Sequence, residues 1–148
     1  MAAVLSMPAV PRGAHVCPCD PIDLRRGTQH FPVRARLTRP AEFQRVFKHC
    51  QYRMSNRWIT LLAIPNDEQF PRLGLAISRK VARTAVARNR VKRVSRESFR
   101  LRQSELGALD VVILGRNGVA SQSLRTLGSA MDKLWTQLIA TCAGSSSN

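Results

Sequence analysis

The densest concentration of residues that could do chemistry lies between residues 78 and 102. This stretch holds ten of the chain's 24 lysines and arginines and one acidic residue, Glu97. Arg88, Lys92 and Arg96 recur at i, i+4 spacing, where like charges destabilise an isolated helix. A guanidinium donates two parallel hydrogen bonds to a phosphate and also stacks on bases. The pattern therefore predicts a helix whose cations face a row of phosphates.

Groups suited to catalysis by the protein itself are scattered. Among the nine acidic residues the adjacent pair, Asp67-Glu68, falls in a predicted turn, and the three histidines are far apart in the sequence. Protein nucleases usually need clustered carboxylates for metal ions or paired histidines for acid–base work. We therefore predict no catalytic and no metal-ligating residue.

The cysteines favour a reducing compartment. Cys17 and Cys19 form a C-x-C pair instead of the C-x-x-C of zinc and redox sites, and Cys50 and Cys142 are isolated. Free thiols of this kind are typical of the cytoplasm. The first ten residues lack the basic region and the long apolar run of a signal peptide. We therefore expect a cytoplasmic protein.

The net charge of the chain indicates which class of molecule it binds. The 148 residues carry 24 Lys and Arg against 9 Asp and Glu, a net charge of +15 at pH 7. Such an excess repels itself unless a polyanion neutralises it, which favours nucleic acid or an anionic membrane. No apolar run in the sequence approaches the ~20 residues of a membrane span. The arginine-rich helix also has too thin an apolar face to insert into a membrane. Nucleic acid is the predicted partner, and no membrane.

Hydrophobic periodicity predicts the elements that must position these cations. The arginine-rich helix spans residues 85–102 and has one narrow stripe of small or apolar residues, formed by Ala87, Val91, Val94, Ser98 and Leu101. A short helix over residues 39–48 precedes it, with Thr38 as the N-cap, and a last helix runs from 123 to about 142. Strands are predicted at residues 58–64, 73–78 and 110–114, with a short extra strand at 52–54.

The chain is predicted to form one small α+β domain, an α/β sandwich. Residues 1–30 contain four prolines and no periodicity, which predicts a disordered or flexible N-terminal extension. The domain covers residues 31–142. The Ser-rich residues 143–148 are expected to form a flexible tail.

The segment from residue 87 to residue 100 closely resembles the bacterial ribonuclease P protein family. That family's signature is an Arg-Asn-Arg core followed by Lys-Arg, Arg-Glu and Phe-Arg, and each element is present here at the same offset. The resemblance extends over residues 31 to about 140 and includes Pro71-Arg72-Leu73-Gly74-Leu75 and Lys133-Leu134-Trp135. It implies an αβββαβα order with an uncommon left-handed βαβ crossover, an architecture like that of the second domain of the fifth small-subunit ribosomal protein.

The resemblance also implies partners and contacts. In the family, the protein works with a catalytic RNA and helps to remove the 5′ leader of precursor tRNA. Catalysis and Mg²⁺ then belong to the RNA subunit, and the protein itself binds no cofactor. The positions that match contacts with the catalytic RNA are Arg79, Lys80, Arg88, Asn89, Arg90, Lys92, Arg93 and Arg96.

A second implied site binds the single-stranded leader in a cleft between the first helix and the sheet. Phe43 and Phe47 match the family's aromatic positions, and stacking on such rings tolerates any base. Leu62 stands where family members often carry another aromatic residue, and Trp58, Thr60 or Tyr52 is the expected substitute. Two Phe at i, i+4 are equally typical of a plain core, so both interpretations stay open.

Two other functions fit parts of the pattern. A ribosomal or RNA-chaperone protein of similar fold would have the same composition, and only the Arg-Asn-Arg helix favours the ribonuclease P protein over it. An autonomous protein endonuclease would cleave precursor tRNA without an RNA subunit, which the scattered acidic residues disfavour.

Overall fold

A computed structural model describes residues 31–145 of the chain. In chain order its regular elements are α1 (Pro40–His49), β1 (Tyr52–Ser55), β2 (Ile59–Pro65), β3 (Arg72–Ala76), α2 (Ala85–Leu106), β4 (Leu109–Gly115) and α3 (Leu124–Ser145). This is the predicted αβββαβα order. The predicted N-terminal extension and the last three residues of the predicted tail lie outside the described residues.

The last strand in sequence is an inner strand of the sheet. The strand order is β1-β2-β4-β3, so β4 lies between β2 and β3. It pairs antiparallel with β2 and parallel with β3. A parallel pair needs a long crossover connection, which α2 supplies. The left-handedness of this crossover stays a prediction from the resemblance.

Successive side chains of a strand point to opposite faces of the sheet. Because the inner strands are mainly apolar, both faces of the sheet are apolar. One face carries Ile59 and Leu61 of β2 and packs under α2 and α3. The opposite face carries Leu62 of β2 and Val112 of β4, which pack against Val46 of α1. The result is a three-layer sandwich, with two helices on one face and one short helix on the other.

Helix α2 packs through a stripe that is rotated from the predicted one. Its buried residues are Val91, Ser95, Ser98, Phe99 and Leu106. Leu101 is 54% exposed, so its assignment to the stripe is wrong. Phe99 lies between Phe31 and Trp135, with ring centroids 5.5 and 5.9 Å away. Because residues two positions apart point to opposite sides of a helix, burial of Phe99 in this cluster leaves residue 101 on the outside.

Several element ends differ from the prediction. Arg39, and not Thr38, is the N-cap of α1, because the Glu42 carboxylate accepts hydrogen bonds from the N–H groups of both Thr38 and Arg39, at 2.9 and 3.0 Å. Helix α2 continues to Leu106 and stops at Gly107, whose φ is 65°. Helix α3 reaches Ser145, so the first three residues of the predicted tail are helical.

Candidate nucleic-acid interface

Helix α2 begins directly after an exposed cationic turn. The side-chain oxygen of Thr84 accepts a hydrogen bond from the N–H of Ala87 at 3.1 Å and caps the helix. The preceding turn is closed by the carbonyl of Ser78. Arg79 and Lys80 are exposed on that turn, and they therefore extend the cationic surface of α2 beyond its first residue.

The two arginines of the Arg-Asn-Arg core are tied to the protein's own backbone. Nη1 of Arg88 donates to the carbonyls of Ala82 and Arg83, both at 3.0 Å. Nη2 of Arg90 donates to the carbonyl of Gln122 at 2.9 Å, in the segment before α3. A guanidinium has five N–H donors, so both retain donors for a ligand. Part of their role is nevertheless structural: Arg88 holds the turn before α2, and Arg90 holds the segment that leads into α3.

Four other predicted contact residues make no such hydrogen bond to the protein. Within residues 31–145, no hydrogen bond or ion pair engages the side chains of Asn89, Lys92, Arg93 or Arg96. Lys92 is half-buried and the other three are exposed. We call these four residues the open ridge of α2. Their donors are available to phosphate oxygens without breaking any contact of the protein.

A buried hydrogen bond from α3 holds the open ridge in place from the opposite side of the helix. The indole Nε1 of Trp135 in α3 donates to Ser98 Oγ at 2.8 Å. Both side chains are buried, so this bond fixes the rotation of α2 against α3 and the ridge faces solvent. Ser95, also buried, bonds within α2 itself, to the Val91 carbonyl at 2.9 Å.

The face of the sheet under α1 holds the second predicted site. Phe43 lies over Gly74 of β3: a Cβ placed at Gly74 would be only 2.7 Å from Cε1 of the ring. Gly74 pairs with Val112, which pairs with Leu62. Phe43 therefore packs at one end of an apolar row that crosses three strands.

Phe47 differs from Phe43 in its exposure. It lies one turn later on α1 and is 45% exposed, whereas Phe43 is partly buried in the core between α1 and the sheet. On β1, Arg53 pairs with Leu62 and is exposed. Phe47 of α1 thus offers an open aromatic ring, and Arg53 offers a cation at the β1 end of the apolar row.

An ion-pair network fixes α1 on this face. The guanidinium of Arg72 donates to both carboxylate oxygens of Asp110, at 2.7 and 2.6 Å, and to Glu42 at 3.1 Å. Asp110 is 1% exposed, so the pair is buried and bidentate. Asn66 adds a hydrogen bond to the same carboxylate at 2.8 Å. The network links β3, β4 and the first turn of α1, which carries Phe43.

The electrostatics of the network follow from these contacts. The hydrogen bond with Asp110 raises the pKa of Arg72 further above its ordinary value. For Glu42, burial alone would raise the pKa of the carboxyl, but hydrogen bonds from the N–H groups of Arg39 and Thr38 and the charge of Arg72 together lower it. Both charged forms are therefore stabilised in the folded protein.

The structure does not bring Trp58 together with Phe43 and Phe47. Trp58 packs partly buried against the core on the α2 and α3 side, beside Gly118. Its N–H donates to the side chain of Asn56 at 3.0 Å, in the turn between β1 and β2. The turn redirects residue 58 before the strand begins at Ile59.

The other two expected substitutes lie on different faces of the sheet. Tyr52 packs on the same side as Trp58, while Thr60 shares the α1 face with Leu62.

Sequence reasoning missed the Arg72–Asp110 pair. In the sequence, Arg72 is prominent only as part of the Pro-Arg-Leu-Gly segment, and Asp110 only as the first residue of an apolar strand. A charge that opens a strand buried on both faces needs a partner. That signal predicts a partner for Asp110 but does not identify it, since Arg72 is 38 residues away in sequence.

Neither a metal cluster nor a membrane span occurs in the described part of the chain. No three His, Cys, Asp or Glu side chains in residues 31–145 lie close enough to hold a metal ion. Across the same residues no helix has the length and apolar character to cross a membrane.

Comparisons with known proteins agree on one family. The family model for ribonuclease P matches residues 31–139. The "Ribonuclease P protein component" of Methylococcus capsulatus is 50% identical over 117 residues, which cover 79% of this chain and 91% of that protein.

Solved structures give the same result. The ribonuclease P protein of Staphylococcus aureus is similar at a TM-score of 0.63 and 27% identity, covering 67% of this chain and 90% of that one. The ribonuclease P protein of Thermotoga maritima is similar at a TM-score of 0.62 and 25% identity, covering 69% and 96%.

Proposed function

The chain belongs to the ribonuclease P protein family, and we propose that the open ridge of α2 is its contact with the catalytic RNA. As a protein subunit of ribonuclease P, it is part of a ribonuclease that processes tRNA and works with an RNA subunit. The finer assignments below, to particular residues and partners, rest on this membership and on the geometry of the described residues.

The observation that carries the proposal is the open ridge itself. Arg93, Arg96 and Lys92 are three cations on one helix that the protein does not neutralise. Arg79 and Lys80 continue the same surface on the turn before the helix. Cations left without protein partners next to one another are unfavourable unless an anion neutralises them. Contacts of this type position an RNA without reading its sequence.

We assign catalysis to the RNA subunit and none to the protein. The side chains proposed to contact RNA are mainly cations and aromatic rings, whereas Mg²⁺ takes carboxylate, phosphate and water oxygens as ligands. Mg²⁺ therefore belongs to the RNA active site in this proposal, and the protein contributes binding and charge neutralisation. A cytoplasmic location goes with precursor tRNA as the substrate.

We assign the leader of precursor tRNA to the face under α1. Phe47 supplies an open ring for a base to stack on, and Arg53 supplies a cation for the backbone beside it. Phe43 contributes by packing on Gly74 and fixing the helix. The sequence left leader binding and plain core packing both open for these two residues. The proposal gives leader binding to Phe47 and core packing to Phe43.

The test is precursor-tRNA cleavage by the matching catalytic RNA at low magnesium and near-physiological salt, with and without the protein. We expect the protein to restore cleavage at the correct 5′ position. The variant Arg93→Ala/Arg96→Ala should weaken this rescue, because it removes two open cations without touching a protein contact. Lys133→Ala on α3 is the control for the single variants Arg93→Ala and Arg96→Ala, since it also removes one exposed cation but one that is not part of the ridge.

The alternatives give different outcomes. A ribosomal or chaperone-type protein would bind RNA but would not assist cleavage. An autonomous endonuclease would cleave precursor tRNA in the absence of the catalytic RNA. Equal loss of rescue in Lys133→Ala and in the single variants Arg93→Ala and Arg96→Ala would contradict the assignment of the ridge.

A further inference from the structure

A groove between α2 and α3 adjoins the open ridge and has a different chemistry. It has a volume of about 870 Å³, within the range of about 300–1,000 Å³ for pockets that bury small ligands. The apolar side chains of Val86, Val94 and Leu101 line it from α2, and Leu124 lines it from α3. We call this feature the α2–α3 groove.

The apolar side chains of the α2–α3 groove are unusually exposed. Val86 is 79% exposed, and Leu101 and Leu124 are each 54% exposed. Single exposed apolar residues are ordinary on a protein surface, but these three converge on one concave site. Grouped exposed apolar side chains of this kind mark binding sites.

Gly128 keeps the groove open on the α3 side. A Cβ at this position would meet no heavy atom within 4 Å, so packing in the protein does not require glycine here. Glycine inside a helix is less stable than alanine. The residue thus lowers the stability of α3 and leaves free space beside the groove.

The lining of the groove carries equal numbers of cations and carboxylates. Arg90 and Arg93 supply two cations, and Glu97 and Asp132 supply two carboxylates. One carboxylate oxygen of Glu97 is engaged by an ion pair with Arg100 on the same helix. The open ridge, by contrast, contains no acidic residue. A phosphate backbone is attracted to the ridge, but it would be repelled by the carboxylates of the groove.

A neutral, flat ligand with donors and acceptors at its edge fits this balance. A nucleobase has an apolar face for the valine and leucine side chains. Its edge offers acceptors to the guanidinium of Arg90 or Arg93 and amino donors to the carboxylates of Glu97 or Asp132. Proteins commonly bind unpaired RNA bases in this way, with the base splayed out of the strand.

We propose that the α2–α3 groove receives an unpaired nucleobase of the catalytic RNA whose phosphates lie along the open ridge. The proposal rests on the proposed function, because it takes the catalytic RNA as the ligand of α2. Arg93 belongs to both surfaces, so a strand bound along the ridge passes directly beside the groove. The base anchors the RNA in register, while the ridge supplies most of the electrostatic attraction.

The test is binding of the matching catalytic RNA to the full-length protein and to Gly128→Leu, which fills the groove. We expect Gly128→Leu to weaken binding about tenfold to a hundredfold, the loss expected when the burial of roughly 60–110 Å² of apolar surface is given up. The dependence of affinity on salt should stay unchanged, because no phosphate contact is removed. One unpaired base that the wild-type protein protects from chemical modification, by dimethyl sulfate for A and C or by a carbodiimide for U and G, should become reactive.

Gly144→Leu is the matched control. Gly144 also lies in α3, and a Cβ at this position would likewise meet no heavy atom within 4 Å, but the residue is outside the groove. We expect Gly144→Leu to bind RNA as the wild type does. Should Gly128→Leu fail to fold, Leu101→Ser carries the same test, since residue 101 is more than half exposed and its replacement leaves the core intact.

Two results would overturn the proposal. One is wild-type affinity and an unchanged pattern of base protection in Gly128→Leu or Leu101→Ser, which would leave the groove to a protein partner. The other is a loss of affinity that comes with a reduced salt dependence, which would indicate lost phosphate contacts. Failure of the proposed function looks different, since the wild-type protein would then not restore cleavage of precursor tRNA by the catalytic RNA, whatever its affinity for RNA.

Discussion

The ring of Phe43 rests on the backbone of Gly74. A Cβ at Gly74 would lie 2.7 Å from Cε1 and 3.0 Å from Cζ of the ring, closer than carbon atoms pack. The absence of a side chain at Gly74 therefore lets α1 lie close to β3. It also decides the roles of the two phenylalanines of α1: Phe43 is held against the sheet, and Phe47 is left half-exposed.

Gly74→Ala should push Phe43 off the sheet. We expect a loss of about 1–3 kcal/mol in the free energy of unfolding, the usual effect of overpacking a core. Urea denaturation measures it. Gly128→Ala is the control, because it adds the same methyl group to open space and should leave stability equal or higher. A Gly74→Ala protein as stable as the wild type would show that the ring moves at no cost.

Phe47→Ala should separate leader binding from stability. The residue is 45% exposed, so removing the ring should lower the unfolding free energy by only about 1 kcal/mol, roughly half the value of a fully buried side chain. The affinity of the holoenzyme for precursor tRNA should fall by about 1–3 kcal/mol, the contribution of one stacked base. Affinity for mature tRNA, which lacks the leader, should not change. An equal loss for both RNAs would contradict a leader contact at Phe47.

Arg72→Met should strongly destabilise the protein. It leaves the buried Asp110 carboxylate without its cation, and breaking a buried pair in this way costs about 3–5 kcal/mol. Thermal or urea unfolding measures the loss. The double variant Arg72→Met/Asp110→Asn removes the uncompensated charge, so it should be more stable than Arg72→Met alone. Additive losses in the double variant would show that the two residues are not coupled.

Glu42→Gln should change stability in a pH-dependent way. The pKa of Glu42 is lowered in the folded protein, so its ionised form contributes stability above the pKa of the unfolded chain, about 4.3. That contribution is lost as the pH falls through the lower, folded-state pKa. The wild type should therefore be more stable than Glu42→Gln near neutral pH. The difference should shrink in acid, which unfolding measured from about pH 7 to pH 3 would reveal.

Arg88→Ala and Arg96→Ala should have different effects on the protein. Arg88 holds the carbonyls of Ala82 and Arg83, and its removal should lower the unfolding free energy by about 1–3 kcal/mol. Arg96 has no such contact, so its removal should affect only RNA binding. It should reduce the slope of log affinity against log salt by about one phosphate contact. An unchanged slope would remove Arg96 from the interface.

The sequence by itself determined the order and type of the elements. The apolar runs at 59–64 and 110–114 and the periodicity of residues 85–102 depend on near neighbours, and helix and strand formation respond to such local patterns. It also determined the excess of cations on α2 and, through the Arg-Asn-Arg signature, the family. These features need no knowledge of which distant residues meet.

Only the tertiary structure decided how those elements combine. Three features join residues about 30 to 56 positions apart: β4 lies between β2 and β3, Arg72 pairs with Asp110, and Phe43 packs on Gly74. No local pattern encodes such pairings, because they depend on the packing of whole layers. The same packing brought Arg90 to the carbonyl of Gln122 and left Arg93 and Arg96 open. It also turned Trp58 away from the face that the sequence assigned to it.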